Sequence, residues 1–356
     1  MIRHTRGDVP SIQFPKRNAV EHFAPLHDAD ERLEECLRIL AKESGKTGRI
    51  AKLLYKKFRQ SILELVSYLY ERESSDDPGR ETLRYLRRKS KERALVATKA
   101  AFEWLLHRTG AIWKLGLSPE QDPKLQALIH VLGEHWKKHE STKGILEFLQ
   151  PSELPVIVFT AENSGRDIIA AQLRRHFPEQ RIEGFTDNMK GPQRKELLAN
   201  FNEGRVDVLV CATSQSRGLN LQYGSILINM DLPVSPVELE QRIGRVQRLG
   251  QDKPIVHIVN IMYEIESERW LWEGYKEYLM MFQEVLGDTD LISIFTASDT
   301  PKRVEEIYQS IISGELNHQQ TKLKFKEAAE EMKRAVESHR QSLRRESDDD
   351  EPPVIP

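Results

Sequence analysis

The sequence predicts an α/β fold in which a parallel β-sheet is covered by helices on both faces. Between residues 155 and 260, short apolar runs alternate with segments of helical periodicity, which is the pattern of successive strand–helix units. The first run, residues 156–159, follows a proline and precedes a polar loop, as expected of a buried parallel strand. On either side of this region, the apolar spacing is helical only.

Four further apolar runs are predicted to be strands of the same sheet: residues 181–185, 206–211, 225–229 and 255–259. Helices are predicted between them. They are expected around residues 168–177, from Pro192 to Phe201, and from Val237 to about Arg248. Two or three more helices are expected between residues 266 and 345.

The region before the sheet is predicted to be a basic helical insertion. Leu33, Leu37 and Leu40 recur at helical spacing, and a second apolar series runs from Leu53 to Leu69. Residues 49–114 contain 16 Lys and Arg against 8 Asp and Glu. The expected organisation is a linker (1–27), the insertion (28–121), the α/β domain (122–300), a helical extension (301–345) and a disordered acidic tail (346–356).

Composition points to a globular protein of a reducing compartment, which we expect to be the cytoplasm. The 356 residues carry a net charge of −2 and no apolar run long enough to cross a bilayer. The N-terminus has no apolar segment of the signal-peptide kind. Cys36 and Cys211 are far apart, which argues against a disulfide framework or a zinc ribbon. His135 and His139 lack a third ligand at fixed spacing, so no metal site is predicted.

Three arginines form the most specific signal in the chain. Arg242, Arg245 and Arg248 recur every third residue, with Gly244 among them. Because the predicted helix runs to about Arg248, all three are expected to share one helical flank. Guanidinium groups match phosphate oxygens and stay charged, so the cluster favours a polyphosphate ligand over a solvated face.

Residues 241–251 (Gln-Arg-Ile-Gly-Arg-Val-Gln-Arg-Leu-Gly-Gln) resemble motif VI of superfamily 2 helicases, in the form used by SNF2-type motors. Residues 158–162 resemble motif IV, residues 208–222 resemble motif V, and residues 229–236 resemble the stretch that joins motifs V and VI. The amino-acid sequences of these segments are similar to those of the RapA-like branch, which includes the SNF2 protein of the DISARM phage-defence system. The match covers about residues 122–295 and implies the second RecA-like lobe of a helicase.

The resemblance implies a role for each matching residue of a complete motor. Arg245 and Arg248 would act as arginine fingers on ATP. Residues that would couple the ATP site to the rest of the lobe are Gln241, Arg242, Gly218 and Asn220. Residues that would hold one DNA strand by its phosphates are Thr160, Thr213 and Ser214.

The same resemblance implies ATP and Mg²⁺ as cofactors, held mainly by a first RecA-like lobe in cis or in trans. It also implies double-stranded DNA as the nucleic acid along which the complete motor moves. RNA polymerase and phage-defence proteins remain open as partners. No Walker A loop or DEAH-like box occurs in the sequence, so this chain alone is not expected to hydrolyse ATP. Ser44-Gly-Lys-Thr47 follows a helical pattern and is predicted to be a helix-ending turn.

A second nucleic-acid contact is predicted in the basic insertion. Arg84, Arg87 and Arg88 lie on one side of a predicted helix by the i, i+3, i+4 rule. This stripe would meet phosphates; the alternative is a solvated basic face, because Glu81 and Glu92 are near.

Two other functional interpretations stay open from the sequence. The chain could be a stand-alone, non-catalytic module that binds nucleic acid or protein, or a decayed remnant of a motor. Arg217 stands where the family usually has an acidic residue before the motif V glycine, which puts the coupling between nucleic acid and ATP in doubt.

Overall fold

The computed structural model describes residues 15–62, 64–66, 68, 122–136, 155–186, 189–213, 219–247, 251, 253–285 and 300–349. These residues belong to two compact units. The described residues of the first unit lie within Gln13–Pro233 and Gln241–Glu268. Those of the second unit lie within Val234–Glu240 and Arg269–Pro356.

Within the described residues, the first unit is built on a six-stranded sheet in which each strand pair is parallel. The strands are β1 (Lys16–Ala24), β2 (Val156–Thr160), β3 (Ile182–Phe185), β4 (Val208–Ala212), β5 (Ile226–Asn229) and β6 (Ile255–Tyr263). Their order is β1-β6-β5-β2-β4-β3. The predicted α/β class with a parallel sheet is confirmed.

The described helices of the two units are α1 (Asp28–Ala41), α2 (Gly45–Gln60), α3 (Pro123–Trp136), α4 (Asn163–His176), α5 (Gly191–Asn202), α6 (Pro236–Ile243), α7 (Glu266–Val285), α8 (Thr300–Ile312) and α9 (His318–Asp349).

The central strands are the apolar runs that the sequence predicted. Every residue of β2, β4 and β5 is buried. Val158 lies between Val210 of β4 and Ile228 of β5, so β-branched side chains pack side by side across the sheet. Strands buried on both faces need apolar residues at every position, which is why continuous runs predicted them.

Strand β1 was not predicted. It lies at one edge of the sheet and pairs along its whole length with β6, from Lys16 beside Ile255 to Ala24 beside Tyr263. The Gln247 side-chain amide donates a hydrogen bond of 2.7 Å to the carbonyl of Pro15 and holds the start of the strand. Most of its residues are exposed or half-buried, so the sequence of this edge strand carries polar residues and was interpreted as a linker.

The insertion begins with two packed helices, as the leucine spacing predicted. Leu33, Leu37 and Leu40 of α1 are fully buried. Ser44 directly precedes α2, and residues 45–47 form the first turn of that helix, so the segment begins a helix instead of ending one; Gly45 adopts a φ of 75°, which favours glycine. The element before this segment is helix α1, as the sequence predicted, and not the strand that a phosphate loop follows.

A buried lysine fastens the end of α2 to the α/β core. Lys124 in the first turn of α3 donates to the carbonyls of Arg59 (2.8 Å) and Gln60 (3.2 Å), two of the last carbonyls of α2. Its ammonium also lies 3.4 Å from the Glu268 carboxylate. Because all of these groups belong to the first unit, the insertion and the sheet share one core.

The second unit is helical. Tyr275 of α7 packs edge-on against Phe325 of α9, with ring centroids 5.6 Å apart. A Cβ on Gly274 would lie 2.1 Å from the Phe325 ring, so only glycine allows this approach. Of the two tryptophans near the start of α7, Trp272 is buried and Trp270 stacks on His318.

Helix α9 extends further than the sequence predicted. It runs to Asp349, so residues 346–349 are helical although they were assigned to the disordered tail. Residues 350–356 lie outside the described part of the chain.

Both cysteines, Cys36 and Cys211, are free and buried. Burial raises the pKa of the Cys211 thiol to about 12. In the ranges that the structure describes, no helix combines the length and the apolar character needed to span a membrane.

Candidate functional site

The two threonines predicted to hold nucleic acid meet at the carboxyl edge of the sheet. Thr160 is the last residue of β2, and Thr213 follows β4, the neighbouring strand. The Thr213 hydroxyl donates to the Thr160 carbonyl at 3.2 Å. Because carboxyl ends of parallel strands share one edge, ligand-binding loops are expected to gather at this place.

Glu64 of the insertion covers Thr160. The Thr160 hydroxyl donates to one oxygen of the Glu64 carboxyl group at 3.2 Å, and the Ser164 hydroxyl approaches the other at 3.4 Å. Thr160 is 2% exposed and Glu64 is 1% exposed. A Cβ on Gly165 would lie 1.9 Å from a Glu64 oxygen, so the first turn of α4 admits this carboxyl group only because glycine stands there.

The pKa of Glu64 is raised from its ordinary value of 4.5 to about 8. Burial is the largest cause, and the nearby Asp231 charge adds to it. Glu64 is therefore mainly protonated at neutral pH, which reduces the electrostatic cost of placing it beside Asp231.

This pKa predicts a pH-dependent contribution to stability. Between about pH 4.5 and pH 8, the folded protein keeps a proton on Glu64 that the unfolded chain has released, so stability falls as pH rises through this window. Glu64→Gln should remove this part of the dependence and should gain stability relative to the wild type as pH rises. Urea denaturation from pH 5 to pH 9 measures it, with exposed Glu35→Gln as the control for loss of one carboxylate. A constant difference between Glu64→Gln and the wild type across this range would contradict a buried protonated glutamate.

Arg242, the first arginine of the predicted cluster, points into the lobe. Its guanidinium donates to the Asp231 carboxylate at 2.8 Å, to the Asp231 carbonyl at 3.0 Å and to the Asn229 side-chain oxygen at 3.3 Å. Arg242 is 1% exposed, and its guanidinium lies 5.8 Å from the centre of the Phe159 ring. These bonds fix α6 to the segment after β5.

Asp231 connects two parts of the candidate site. One carboxylate oxygen binds Arg242 of α6, and the other accepts a hydrogen bond of 2.7 Å from the backbone N–H of Ala161. Ala161 directly follows Thr160 at the start of the β2–α4 loop. A single buried carboxylate therefore holds the loop after Thr160 and the end of α6 that carries Arg242 at a fixed separation.

The helix that carries the arginines is shorter than predicted. It ends at Ile243, and residues 244–246 form a turn, so Arg242 and Arg245 do not share one helical flank. Gly244 has the lowest helix propensity among ordinary residues and follows the last helical position. Arg245 thus lies in the turn, half-buried, with its N–H bonded to the Arg242 carbonyl at 3.1 Å.

The turn that contains Arg245 contacts motif V through the backbone. The Leu221 N–H donates to the Arg245 carbonyl at 3.1 Å. Asn220, the preceding residue, is exposed, and its side-chain oxygen accepts from the Gln222 N–H at 3.3 Å. Gln241 is half-buried near the end of α6. The structure thereby brings Asn220 and Arg245, two of the predicted site residues, to neighbouring positions.

The remaining predicted site residues lie outside the described part of the chain: Gly218, Ser214, Arg248, Arg84, Arg87 and Arg88. Arg217, His139 and the residues after Asp349 also lie there. In the described ranges, no group of three or more His, Cys, Asp or Glu residues is placed to hold a metal ion.

Sequence reasoning missed Glu64 and Asp231. Asp231 stands inside a segment that resembles the stretch between motifs V and VI, so that resemblance was a signal that could have singled it out. Glu64 had no comparable signal, because its partners Thr160 and Ser164 are about a hundred positions away in the chain.

Comparison with known proteins identifies the region that contains this site. Residues 137–250 match the model of the helicase conserved C-terminal domain. The chain is 36% identical over 97 residues to the uncharacterized ATP-dependent helicase YqhH of Bacillus subtilis, covering 27% of this chain and 17% of that protein. It is 31% identical over 144 residues to the RNA polymerase-associated protein RapA of Vibrio cholerae, covering 39% of this chain and 15% of that protein.

Among solved structures, the C-terminal part of the Fun30 ATPase domain aligns with a TM-score of 0.45 and 16% identity, over 85% of this chain and 100% of that one. The resemblance to helicase C-terminal domains, with RapA among the relatives, is confirmed. The matched segments span only 17% and 15% of the two relatives' lengths.

Proposed function

We propose that this chain, which carries a helicase conserved C-terminal domain over residues 137–250, is the second motor lobe of an SNF2-type, ATP-dependent translocase on double-stranded DNA. The observation that best supports this role is the carboxylate of Asp231. It bonds both to the loop that follows Thr160 and to Arg242, three residues before Arg245. A motor lobe needs such a rigid connection, because nucleotide-driven movement at one site must displace the nucleic acid held at another.

At the ATP site, this chain would supply positively charged side chains. Arg245 and Arg248 would face the ATP held by a first RecA-like lobe and stabilise charge that develops on the transferred phosphoryl group. Guanidinium groups fit phosphate oxygens, whereas Mg²⁺ prefers oxygen ligands, which we assign to the first lobe. Gln241, Gly218 and Asn220 would transmit closure of the cleft, and Arg242 would position the arginine turn from inside the lobe.

At the nucleic acid, the carboxyl edge of β2 and β4 would hold one strand by its phosphates. Thr160 and Thr213 would supply hydroxyl groups at this edge, and the N-terminus of α4 would add backbone N–H groups. Ser214, which lies outside the described residues, is proposed to add a third hydroxyl group. Contacts of this kind fix register and orientation but do not read base sequence. RNA polymerase, which RapA is named for, is a further candidate partner.

The decisive experiment supplies a first RecA-like lobe, fused or in trans, and measures ATP hydrolysis with and without duplex DNA. We expect DNA-stimulated hydrolysis by the combination and none by the 356-residue chain. Duplex binding without hydrolysis in the presence of a folded first lobe would instead assign the chain to the non-catalytic binding modules.

The basic stripe of the insertion gives a separate prediction. If Arg84, Arg87 and Arg88 contact phosphates, replacing all three by Gln should flatten the log–log salt dependence of DNA binding by about 2 to 3, since each phosphate contact contributes about 0.9 to the slope. The loss should be the same for all sequences. The control replaces three exposed lysines of α9, Lys324, Lys326 and Lys333, by Gln and changes the net charge equally. An unchanged slope in the arginine variant, with intact circular dichroism, would assign the stripe to solvent or to a protein partner.

A further inference from the structure

The insertion places a carboxyl group where the proposed nucleic-acid grip would receive a phosphate. Around the start of α4, the Thr160 and Ser164 hydroxyl groups both point to the Glu64 carboxyl group, and Gly165 leaves room for it. Two hydroxyl donors and a glycine at the first turn of a helix form the kind of cradle that binds phosphate oxygens. Here the oxygen atoms that accept these bonds come from a carboxyl group of the chain itself.

We infer that the segment around Glu64 closes the nucleic-acid grip in this conformation, and that nucleic acid binds only when this segment is displaced. This inference rests on the proposed function, because it assumes that Thr160 and Ser164 belong to the grip. The reason is that Glu64 occupies the place proposed for the phosphate. With Glu64 bound there, Thr160 is 2% exposed and its hydroxyl group is not available to a phosphate. Glu64 thus regulates the site by competing for the donors that the phosphate needs.

A second contact holds the same segment against α4. Lys57 of α2 forms an ion pair with Glu162, the residue that precedes α4. The Glu162 side chain is 44% exposed, so this pair lies at the rim of the contact. Glu64 itself is helical, as is Ile62 before it, and the Glu64 N–H donates to the Ser61 hydroxyl at 2.9 Å.

The closed state is one that a ligand can displace. Glu64 is held by two side-chain hydrogen bonds of 3.2 and 3.4 Å, and burial and the Asp231 charge disfavour its ionised form, so these bonds are not charge-assisted. A phosphate makes charge-assisted bonds to the same hydroxyl groups and can replace Glu64 once the displaced segment exposes the cradle to water, because burial and the Asp231 charge disfavour any anion in the closed state. In the free chain, the closed state lowers apparent affinity by the fraction of molecules that are open.

The test measures binding of a fluorescein-labelled DNA duplex to the full chain by anisotropy. Lys57→Ala breaks the rim ion pair, and we expect it to tighten binding by about tenfold or more, because it raises the open fraction. General electrostatics predicts the opposite sign, since the substitution removes a positive charge. Lys56→Ala, a neighbouring lysine of the same helix, is the control and should weaken binding or leave it unchanged.

Two substitutions of Glu64 distinguish the effect of filling the cradle from the effect of the charge of the Glu64 carboxyl group. Glu64→Ala empties the cradle and should tighten binding as Lys57→Ala does, whereas Glu64→Gln keeps the shape and an acceptor and should stay near the wild type. Hydrogen exchange of peptides that contain Glu64 should become faster when duplex is added to the wild type. Should Glu64→Ala fail to fold, the comparison of Lys57→Ala with Lys56→Ala still tests whether the Glu64 segment closes the site.

Ser164→Ala in the Lys57→Ala background distinguishes the two levels of the proposal. If Ser164→Ala weakens duplex binding although Lys57→Ala did not tighten it, the proposed binding of phosphate by Thr160 and Ser164 is supported. The proposed closure by the Glu64 segment is then wrong. If Ser164→Ala changes nothing, or if no variant binds duplex, the proposed grip is wrong and the closure fails with it. Tightening by Lys57→Ala that Ser164→Ala reverses supports both.

Discussion

Replacing Arg242 by Met is expected to destabilise the chain by about 3 to 5 kcal/mol. The substitution leaves the Asp231 carboxylate buried without its cation, and the cost of an uncompensated buried charge is of this size. The Asn229 oxygen and the Asp231 carbonyl also lose their donor. Urea denaturation followed by circular dichroism measures the change in the free energy of unfolding.

The matched control is an ion pair of similar length on the surface. Arg174 lies 3.1 Å from Glu183 with both side chains 48% exposed, whereas Arg242 and Asp231 are 2.8 Å apart and 1% and 2% exposed. Arg174→Met should cost only about 0 to 1 kcal/mol, because water screens an exposed pair. Arg242→Lys, which keeps the charge but loses the forked geometry, should fall between them. Equal costs for Arg242→Met and Arg174→Met would show that the buried pair does not anchor α6.

The interior of the sheet was predictable from sequence, and its edge was not. Strands β2, β4 and β5 are buried on both faces, so a continuous apolar run specifies each of them. Strand β1 pairs on one side with β6 and keeps exposed positions, including Lys16 and Glu21, so its sequence shows no such run. An edge strand is defined by its partner, and the partner is more than two hundred residues away.

The residues of the candidate site also divide into those that the sequence predicted and those that it did not. Its arginines and threonines were found because a resemblance to helicase motifs marks them individually. The end of α6 at Ile243 was missed, because three-residue spacing alone cannot show where a helix stops, although Gly244 is a recognised terminator position. Glu64 was missed for a physical reason: its placement depends on how the insertion packs on α4, and neither segment contains information about the other.

Arg245→Ala, in a motor completed with a first RecA-like lobe, is expected to lower DNA-stimulated ATP turnover by about 10² or more. This corresponds to roughly 3 kcal/mol of transition-state stabilisation, the size found when one preorganised charge is removed from a developing oxyanion. The backbone of Arg245 is fixed by its N–H bond to Arg242 and by the bond from Leu221 to its carbonyl, and alanine keeps both. The loss should therefore come from the side chain.

The kinetic pattern distinguishes a finger from a structural residue. Because a finger acts on charge that develops in the transition state, nucleotide affinity should change much less than turnover. Arg205→Ala, at an exposed arginine after α5, removes the same charge elsewhere and should leave turnover near the wild type. Arg248→Ala should repeat the loss, since both arginines are assigned to the phosphoryl group. If Arg245→Ala reduces turnover only about twofold while duplex still stimulates hydrolysis, the catalytic cation of this lobe is a different residue, and the turn at Gly244 serves packing against motif V alone.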